Sequence, residues 1–388
     1  MAEAPPMEGY VRSDPFEVAT CWKYGLSRPT PLPPQQLSPR GALEAAIMPA
    51  LVEGACYVTF SGGRDSSAIL ATATHLARRE GLPDPVPVTR LYPNVPDSDE
   101  SEWQHLVIDH LGLSEWLRLE FTDDETDLLG PAAQASVRRH GLLWPPAVHS
   151  HGLVYQHLTG GAMLTGEGGD EVLGARRVTP LTLLRRRRRP TRALLRGAAH
   201  ALSPSSVRRR QIRRELESAR LQHWLRPDAK NQHLRLMAAD EATEPLSYEA
   251  ATWWITRRRS WATMAANQAL IAGTYQVRAS NPLLDDDFIA ALAHAGATWG
   301  YNGRTATMKA LFSDVLPSAL LSRRTKASFN RAYAGRYTRE FARHWDGSGV
   351  DGELVDPEIL RDVWLSDEPT MSTAMLLHQA WLAAPVTQ

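Results

Sequence analysis

Two glycine-rich turns, each at the end of a short apolar run, constrain this chain more than any other feature of its sequence. The first, Ser61-Gly62-Gly63-Arg64-Asp65-Ser66-Ser67, follows the apolar stretch 55–60 and precedes Ile69, Leu70, Ala73, Leu76 and Ala77, which recur at helical spacing until Gly81. The spacing predicts a strand, a tight loop and a helix. Glycines at such a junction let the backbone approach an anion, while free amides and the helix dipole face it. The Lys-Ser/Thr ending of the nucleoside-triphosphate loop is missing, which argues against γ-phosphoryl transfer and favours the pyrophosphate half of ATP. A Ser-Gly-Gly turn also arises for steric reasons alone, so its context decides.

That context is Thr165-Gly166-Glu167-Gly168-Gly169-Asp170-Glu171, a second turn after the strand-like run 162–165. Three carboxylates in one short loop repel one another, and a cation relieves them. Mg²⁺ takes one or two carboxylates together with phosphate oxygens, so Asp65 and Asp170 are the expected pair around one ion. Glu167 is then left for the group that attacks. The competing reading is a solvated acidic turn.

Between the two turns, an apolar segment ends near Tyr92, a helix face is marked by Trp103, Leu106, Val107 and His110 up to Gly112, and a strand is expected over 116–121. A further helix is expected over 148–158. Strands alternating with helices predict an α/β fold, a parallel sheet flanked by helices with function at the strand carboxyl ends. Beyond Gly174 the strand pattern stops and a mostly helical C-terminal portion is expected. The division read from this pattern is an extended, proline-rich arm over 1–40, an ATP-binding α/β domain over 41–175, a basic insertion over 176–226 and a helical portion over 227–388. The insertion holds 16 Arg against Glu215 and Glu217, a local charge of +14 in a chain whose net charge is zero. Such a run reads either as a solvated, disordered insertion or as a clamp for an acidic partner.

At this point the sequence resembles the synthetase domain of the asparagine synthetases and their relatives, including β-lactam synthetases and lasso-peptide cyclases. The resemblance rests on the two turns, on Arg278-Ala279-Ser280-Asn281-Pro282-Leu283-Leu284-Asp285, and on the stretch from Lys309 through Leu316-Pro317 to Arg324-Thr325-Lys326. Asp97-Ser98-Asp99-Glu100 resembles a lesser family feature. The resemblance implies a PP-loop fold of the adenine nucleotide alpha-hydrolase kind and an AMP-forming ligase that uses ATP and Mg²⁺. Ser61, Gly62, Gly63, Ser66, Ser67 and Gly166 would hold pyrophosphate, with Lys309 as a further phosphate contact. Asp65 and Asp170 would hold the metal, and Lys326 would neutralise charge developing in the transition state. Glu167 would act as general base on the amine, and Asp285 would organise the pocket.

One departure stands out. Glutamine-dependent members carry a cysteine after the initiator methionine, and here position 2 is Ala2. The expected substrates are therefore a small-molecule or peptide carboxylate and an amine, in natural-product biosynthesis, with no glutaminase activity in this chain. A nucleic-acid-modifying enzyme of the same superfold and a non-catalytic binding protein are the rivals; the second turn with the Pro-Leu-Leu-Asp element speaks against the first, and the intact set Asp65, Glu167, Asp170 and Lys326 against the second. His149, His151 and His157 lack the spacing of a zinc set and suit a pocket lining. Trp253, Trp254 and Trp261 suit core packing. Two cysteines, Cys21 and Cys56, no apolar run of 18 residues and no basic-then-apolar leader make a cytoplasmic protein without membrane spans the expectation.

Overall fold

The computed structural model describes residues 12–27, 30–186, 190–219, 221–323, 325, 327–367 and 369–385. Its centre is a parallel sheet of five strands in the order β3-β2-β1-β4-β5. These are β1 (Cys56–Thr59), β2 (Val86–Leu91), β3 (Leu117–Glu120), β4 (Ala162–Leu164) and β5 (Arg278–Ser280). Helix α1 is Pro15–Thr20, α2 is Pro39–Val52, α3 is Arg64–Arg79 and α4 is Ser101–Leu111. Val58, Ile69, Leu70, Leu76, Leu164 and Phe288 are fully buried where α2, α3 and the helix Asp286–Gly296 cover one face of the sheet. Each such side chain contributes about 1.5–3 kcal/mol on leaving water.

Four of the five strands follow the periodicity of the sequence; β5 does not. It is three residues long, Arg-Ala-Ser, with no apolar alternation to betray it. It pairs with β4 from Ala162↔Arg278 to Leu164↔Ser280, so the second half of the chain returns to finish the sheet.

Other expectations shift in detail. The proline-rich arm is not wholly extended, because Asp14 caps α1 through the Glu17 amide and α1 is tied down by charge. Glu17, 2% exposed, meets Lys23 at 2.7 Å and Arg259 at 2.6 Å. Residues 30–38 do run without helix or strand. Helix α4 turns Gln104, Val107, Ile108 and Leu111 inward, whereas Leu106 and His110 face water. The stretch 148–158 is not one helix but a 3-10 turn, Pro146–Ser150, followed by the short helix Gly152–Tyr155.

The basic segment is folded where it is described. It forms the helices Thr179–Arg186, Arg192–Leu202 and Ser205–Ser218. Arg187 to Arg189 and Arg220 lie outside the described residues. Part of the arginine is spent on helix ends: Arg177 donates to the carbonyls of Ala201 and Ser203, and the buried Arg208 to those of Glu241 and Glu244. Cations that satisfy the last carbonyls of a helix also oppose its dipole, which offsets the repulsion that disorder would otherwise relieve. No helix among the described residues is long and apolar enough to cross a membrane.

Candidate active site

The strand order reverses direction between β1 and β4. From β1 the chain moves outward to β2 and β3, then returns on the other side as β4. A crevice opens at such a switch point, beyond the carboxyl ends of the two strands. Val58 pairs with Leu164, so the glycine turns that follow β1 and β4 start side by side.

The first turn is built from its own hydroxyls. Ser66 Oγ donates to the Gly63 carbonyl at 3.1 Å and accepts from the Ser61 amide at 3.3 Å, and Ser61 Oγ accepts from the Gly63 amide at 3.3 Å. Gly62 sits at φ +81°, a region L side chains avoid, with the Gln104 side chain closing the space where a Cβ would stand. Gly63 precedes α3 without any side-chain cap, leaving the first amides of a long helix turned to the crevice. Ser67 Oγ is buried there without a hydrogen-bond partner.

The second turn presses against the first. A Cβ on Gly166 would come within 2.7 Å of the Ser66 amide nitrogen, one on Gly169 within 2.3 Å of Asp65 Cγ, and one on Gly168 within 2.4 Å of Leu284 Cδ2. Only bare backbone fits at this density. Asp65 and Asp170 are thereby brought to one point, where the guanidinium of Arg304 bridges them, Nη2 to Asp65 Oδ2 at 2.6 Å and Nη1 to Asp170 Oδ1. Burial pushes the Asp65 carboxyl above its ordinary range; Arg304 pulls it down and Asp170 adds to the rise. The second oxygen of Asp65, Oδ1, is buried and has no hydrogen-bond partner.

Glu167 is exposed at the mouth of the crevice, its amide bonded to Thr165 Oγ1 at 3.2 Å. A chain of polar contacts continues behind it. Thr165 Oγ1 donates to Asn281 Oδ1, Asn281 Nδ2 donates to Gln268 Oε1 at 2.9 Å, and Gln268 hydrogen-bonds the phenol of Tyr155. Burial first, and the charge of Glu167 among the lesser causes, push that phenol up to about 12.

The remaining expected residues divide. Asp285 caps the helix Asp286–Gly296, accepting from the amides of Asp287 and Phe288 at 3.0 and 3.1 Å, and Leu284 beside it buttresses Gly168. Lys309 is exposed on the helix Arg304–Phe312, five residues on from Arg304 and therefore about 140° round from it. The cation that reaches the carboxylates from this helix is Arg304, not Lys309. Lys326 lies outside the described residues. Its neighbours Thr325 and Ala327 line a cleft of about 430 Å³ with Asp97, Asp99, Glu100, Trp103 and Arg323.

Sequence reasoning passed over two further arginines. Arg323 is buried; it pairs with the equally buried Glu100, donates to the Gly62 carbonyl at 3.2 Å and lies over the Trp103 ring at 4.7 Å. Arg90, at the end of β2, faces Tyr92, Tyr155 and Tyr333. Arg304 was passed over as well, and the one local mark of its place is Gly303, at φ +88° where its helix opens. A lone arginine in a strand or loop gives none.

His149 bonds Ser136 Oγ at 2.8 Å and meets the ring of His378 edge-on, and burial drives the two down to about 2 and about 4, so both are neutral at physiological pH. Among the described residues no group of three or more His, Cys, Asp and Glu stands ready to hold a metal. Trp253 and Trp254 are buried in the core.

A family model described as Asparagine synthase matches residues 40–383. The chain belongs to the asparagine synthase family. Comparison with curated proteins gives no match. For a chain of the asparagine synthase family the glycine turns, the unpartnered Asp65 Oδ1 and the unpartnered Ser67 Oγ fit a nucleotide carrying a divalent cation: amides and a hydroxyl for phosphate, two carboxylates for the ion. At the coarse level, family membership makes this an ATP-dependent, amide-forming ligase.

Proposed function

We propose that the chain activates a carboxylate with ATP, releases pyrophosphate, and passes the acyl group to an amine to leave an amide and AMP. The observation that carries this reading is the contact between the two glycine turns, which puts Asp65 and Asp170 on opposite nitrogens of one guanidinium at the switch point of the sheet. The amides of Ser61 to Gly63 and the start of α3, with Ser66, Ser67 and Gly166 closing around them, bind the pyrophosphate oxygens. Asp65 and Asp170 hold Mg²⁺, which when bound would supply Lewis-acid charge at those oxygens. Arg304 then exchanges the two carboxylates for phosphate. Lys326 neutralises the charge that develops in the transition state. Glu167 takes the proton from the attacking amine, because it stands at the mouth of the crevice where the acceptor must enter.

The products test the reading. Incubation of the chain with ATP, Mg²⁺ and a panel of carboxylates plus ammonia or amines is expected to give AMP and pyrophosphate by chromatography. ADP and phosphate in the presence of an acceptable acid would overturn it, since a kinase-like acyl phosphate route needs no pyrophosphate cradle.

The identity of the acid follows from different features. Exposed Arg185, Arg192, Arg196, Arg209, Arg210 and Arg214 make the three basic helices a strongly positive surface. Thr182 donates to the Trp299 carbonyl at 2.6 Å and Arg185 stacks on the Trp299 ring, five residues before Arg304. These contacts support a clamp for an acid carried on an acidic protein or peptide, in the setting of natural-product biosynthesis. Exposed charges act over about 8 Å at physiological salt. Replacing Arg192, Arg196, Arg209 and Arg210 with Ser is expected to raise KM for a carrier-bound acid at low salt and flatten its salt dependence, with KM for ATP unchanged. Identical kinetics at low salt would remove the clamp and leave the helices as structure.

A further inference from the structure

The middle helix of the basic segment, Arg192–Leu202, is apolar on two sides. One side is used: Ala198 and Ala201 are buried, and a Cβ on Gly197 would stand 3.3 Å from Pro180 of the helix Thr179–Arg186. The other side faces water. Leu195, Ala199 and Leu202 follow one another at four and three residues, which sets them in one row about 10 Å long on the outer face. Leu195 is 49% exposed and Leu202 61%, the most exposed of the large apolar side chains described. Arg192 stands one turn before Leu195 and Arg196 one turn before Ala199, both exposed. Across the turn Ser203-Pro204, the helix Ser205–Ser218 repeats the mixture with exposed Val207, Arg210 and Arg214 at three- and four-residue steps.

A scattered exposed leucine carries no meaning, because much of any protein surface is apolar. A row at helical spacing beside cations does, since this is the pattern with which one helix lays itself along another. Charge and solvation account for the arginines and leave the leucines unexplained. The segment 176–226 carries 16 Arg and no Lys, and the guanidinium fork meets a carboxylate at two points. The complement of the surface is therefore a carboxylate-bearing helix with apolar side chains in register. A lipid surface also offers negative charge and apolar depth, but faces that lie in a bilayer carry aromatic anchors, and residues 176–222 contain no Phe, Tyr or Trp. A row one side chain wide and two turns long matches a ridge of another helix, not a plane. RNA would meet the arginines and offer the leucines nothing. The preceding helix hangs from Trp299 through Thr182 and Arg185, so what docks here is held on the side of the chain that leads to Arg304.

We infer that Leu195, Ala199 and Leu202, with Arg192 and Arg196 beside them, dock an acidic amphipathic helix of a protein partner, whose apolar row lies along theirs and whose carboxylates meet the two arginines. The inference rests on the reading of the basic helices as a clamp for a carrier-borne acid and deepens it: the carrier is recognised by the spacing of its apolar residues as well as by its charge.

Fluorescence anisotropy with the full chain tests it. Two labelled peptides of one composition are used, a glutamate-rich helical peptide with leucines at i, i+4 and i+7, and an isomer whose order scatters the leucines round the helix. The first is expected to bind about tenfold or more tightly than the second. L195S/L202S is expected to erase that advantage and to leave the affinity of the scattered isomer, and its fall with salt, unchanged; R192S/R196S is expected to weaken both peptides. Thermal unfolding shows whether each variant folds, and if L195S/L202S does not, L202S decides by losing part of the advantage. Equal affinities in the wild type, or an advantage untouched by the leucine substitutions, overturns the docking surface. Vesicles of phosphatidylcholine and phosphatidylglycerol that hold the chain through the same leucines and release the peptide overturn it in favour of lipid. Kinetics keep the two readings apart: if the leucine variants lose the peptide while the arginine variants leave KM for a carrier-bound acid unchanged, the docking surface stands and the clamp falls as the route of acyl delivery.

Discussion

Glu167→Gln is expected to keep pyrophosphate exchange with the acid near its wild-type rate while amide formation falls by about 10²–10⁴-fold, the usual share of a general base. Asp65→Asn is expected to remove both. The difference follows from where the groups sit. Asp65 is packed under Gly169, its Oδ2 on Arg304 and its Oδ1 left over for a ligand, so it acts before any acyl group is activated. Glu167 is exposed and tethered through its own amide to Thr165, on the side from which the proposed acceptor enters. Single-turnover kinetics, with exchange and product followed separately, makes the comparison. Loss of exchange in Glu167→Gln as complete as in Asp65→Asn would move Glu167 from the acceptor to the metal.

The second large effect concerns the fold around the first turn. Arg323→Met removes the partner of Glu100, which is 7% exposed, and leaves a buried carboxylate uncompensated at a cost of about 3–5 kcal/mol. It also frees the Gly62 carbonyl, so the turn loses its hold from behind. Urea unfolding is expected to show the full loss in the single variant and much of it recovered in Arg323→Met with Glu100→Gln, because an absent pair costs less than a broken one. Equal losses in single and double variants would mean that the pair is not coupled.

How much of this was legible beforehand depends on the kind of signal each residue gives. The turns at 61–67 and 165–171 announced themselves because glycine is required at close approaches, and the approaches are real: Gly166 against Ser66, Gly169 against Asp65. The short apolar runs marked four strands. The short, polar β5 was hidden because three residues carry no period, and the break at 146–155 was hidden because a 3-10 turn and a four-residue helix together imitate one helix. Arg304 and Arg323 were passed over for a different reason. The sequence is rich in arginine, and which cations turn inward is decided by partners distant along the chain, 223 residues away for Arg323 and Glu100 and 239 for Arg304 and Asp65.

The pairing of β4 with β5 bears on how the protein is made. Thr165 donates to the Ser280 carbonyl and Arg278 to that of Gly161, yet more than a hundred residues separate Leu164 from Arg278. At about 5–20 residues per second a ribosome needs several seconds to cross that gap. Throughout that interval the nascent chain holds a strand edge, adjoining the second glycine turn, with no neighbour to close it, the situation in which sheets recruit the wrong strand. A polypeptide released early, between the two strands, would carry both glycine turns and still lack the edge that the second one leans on.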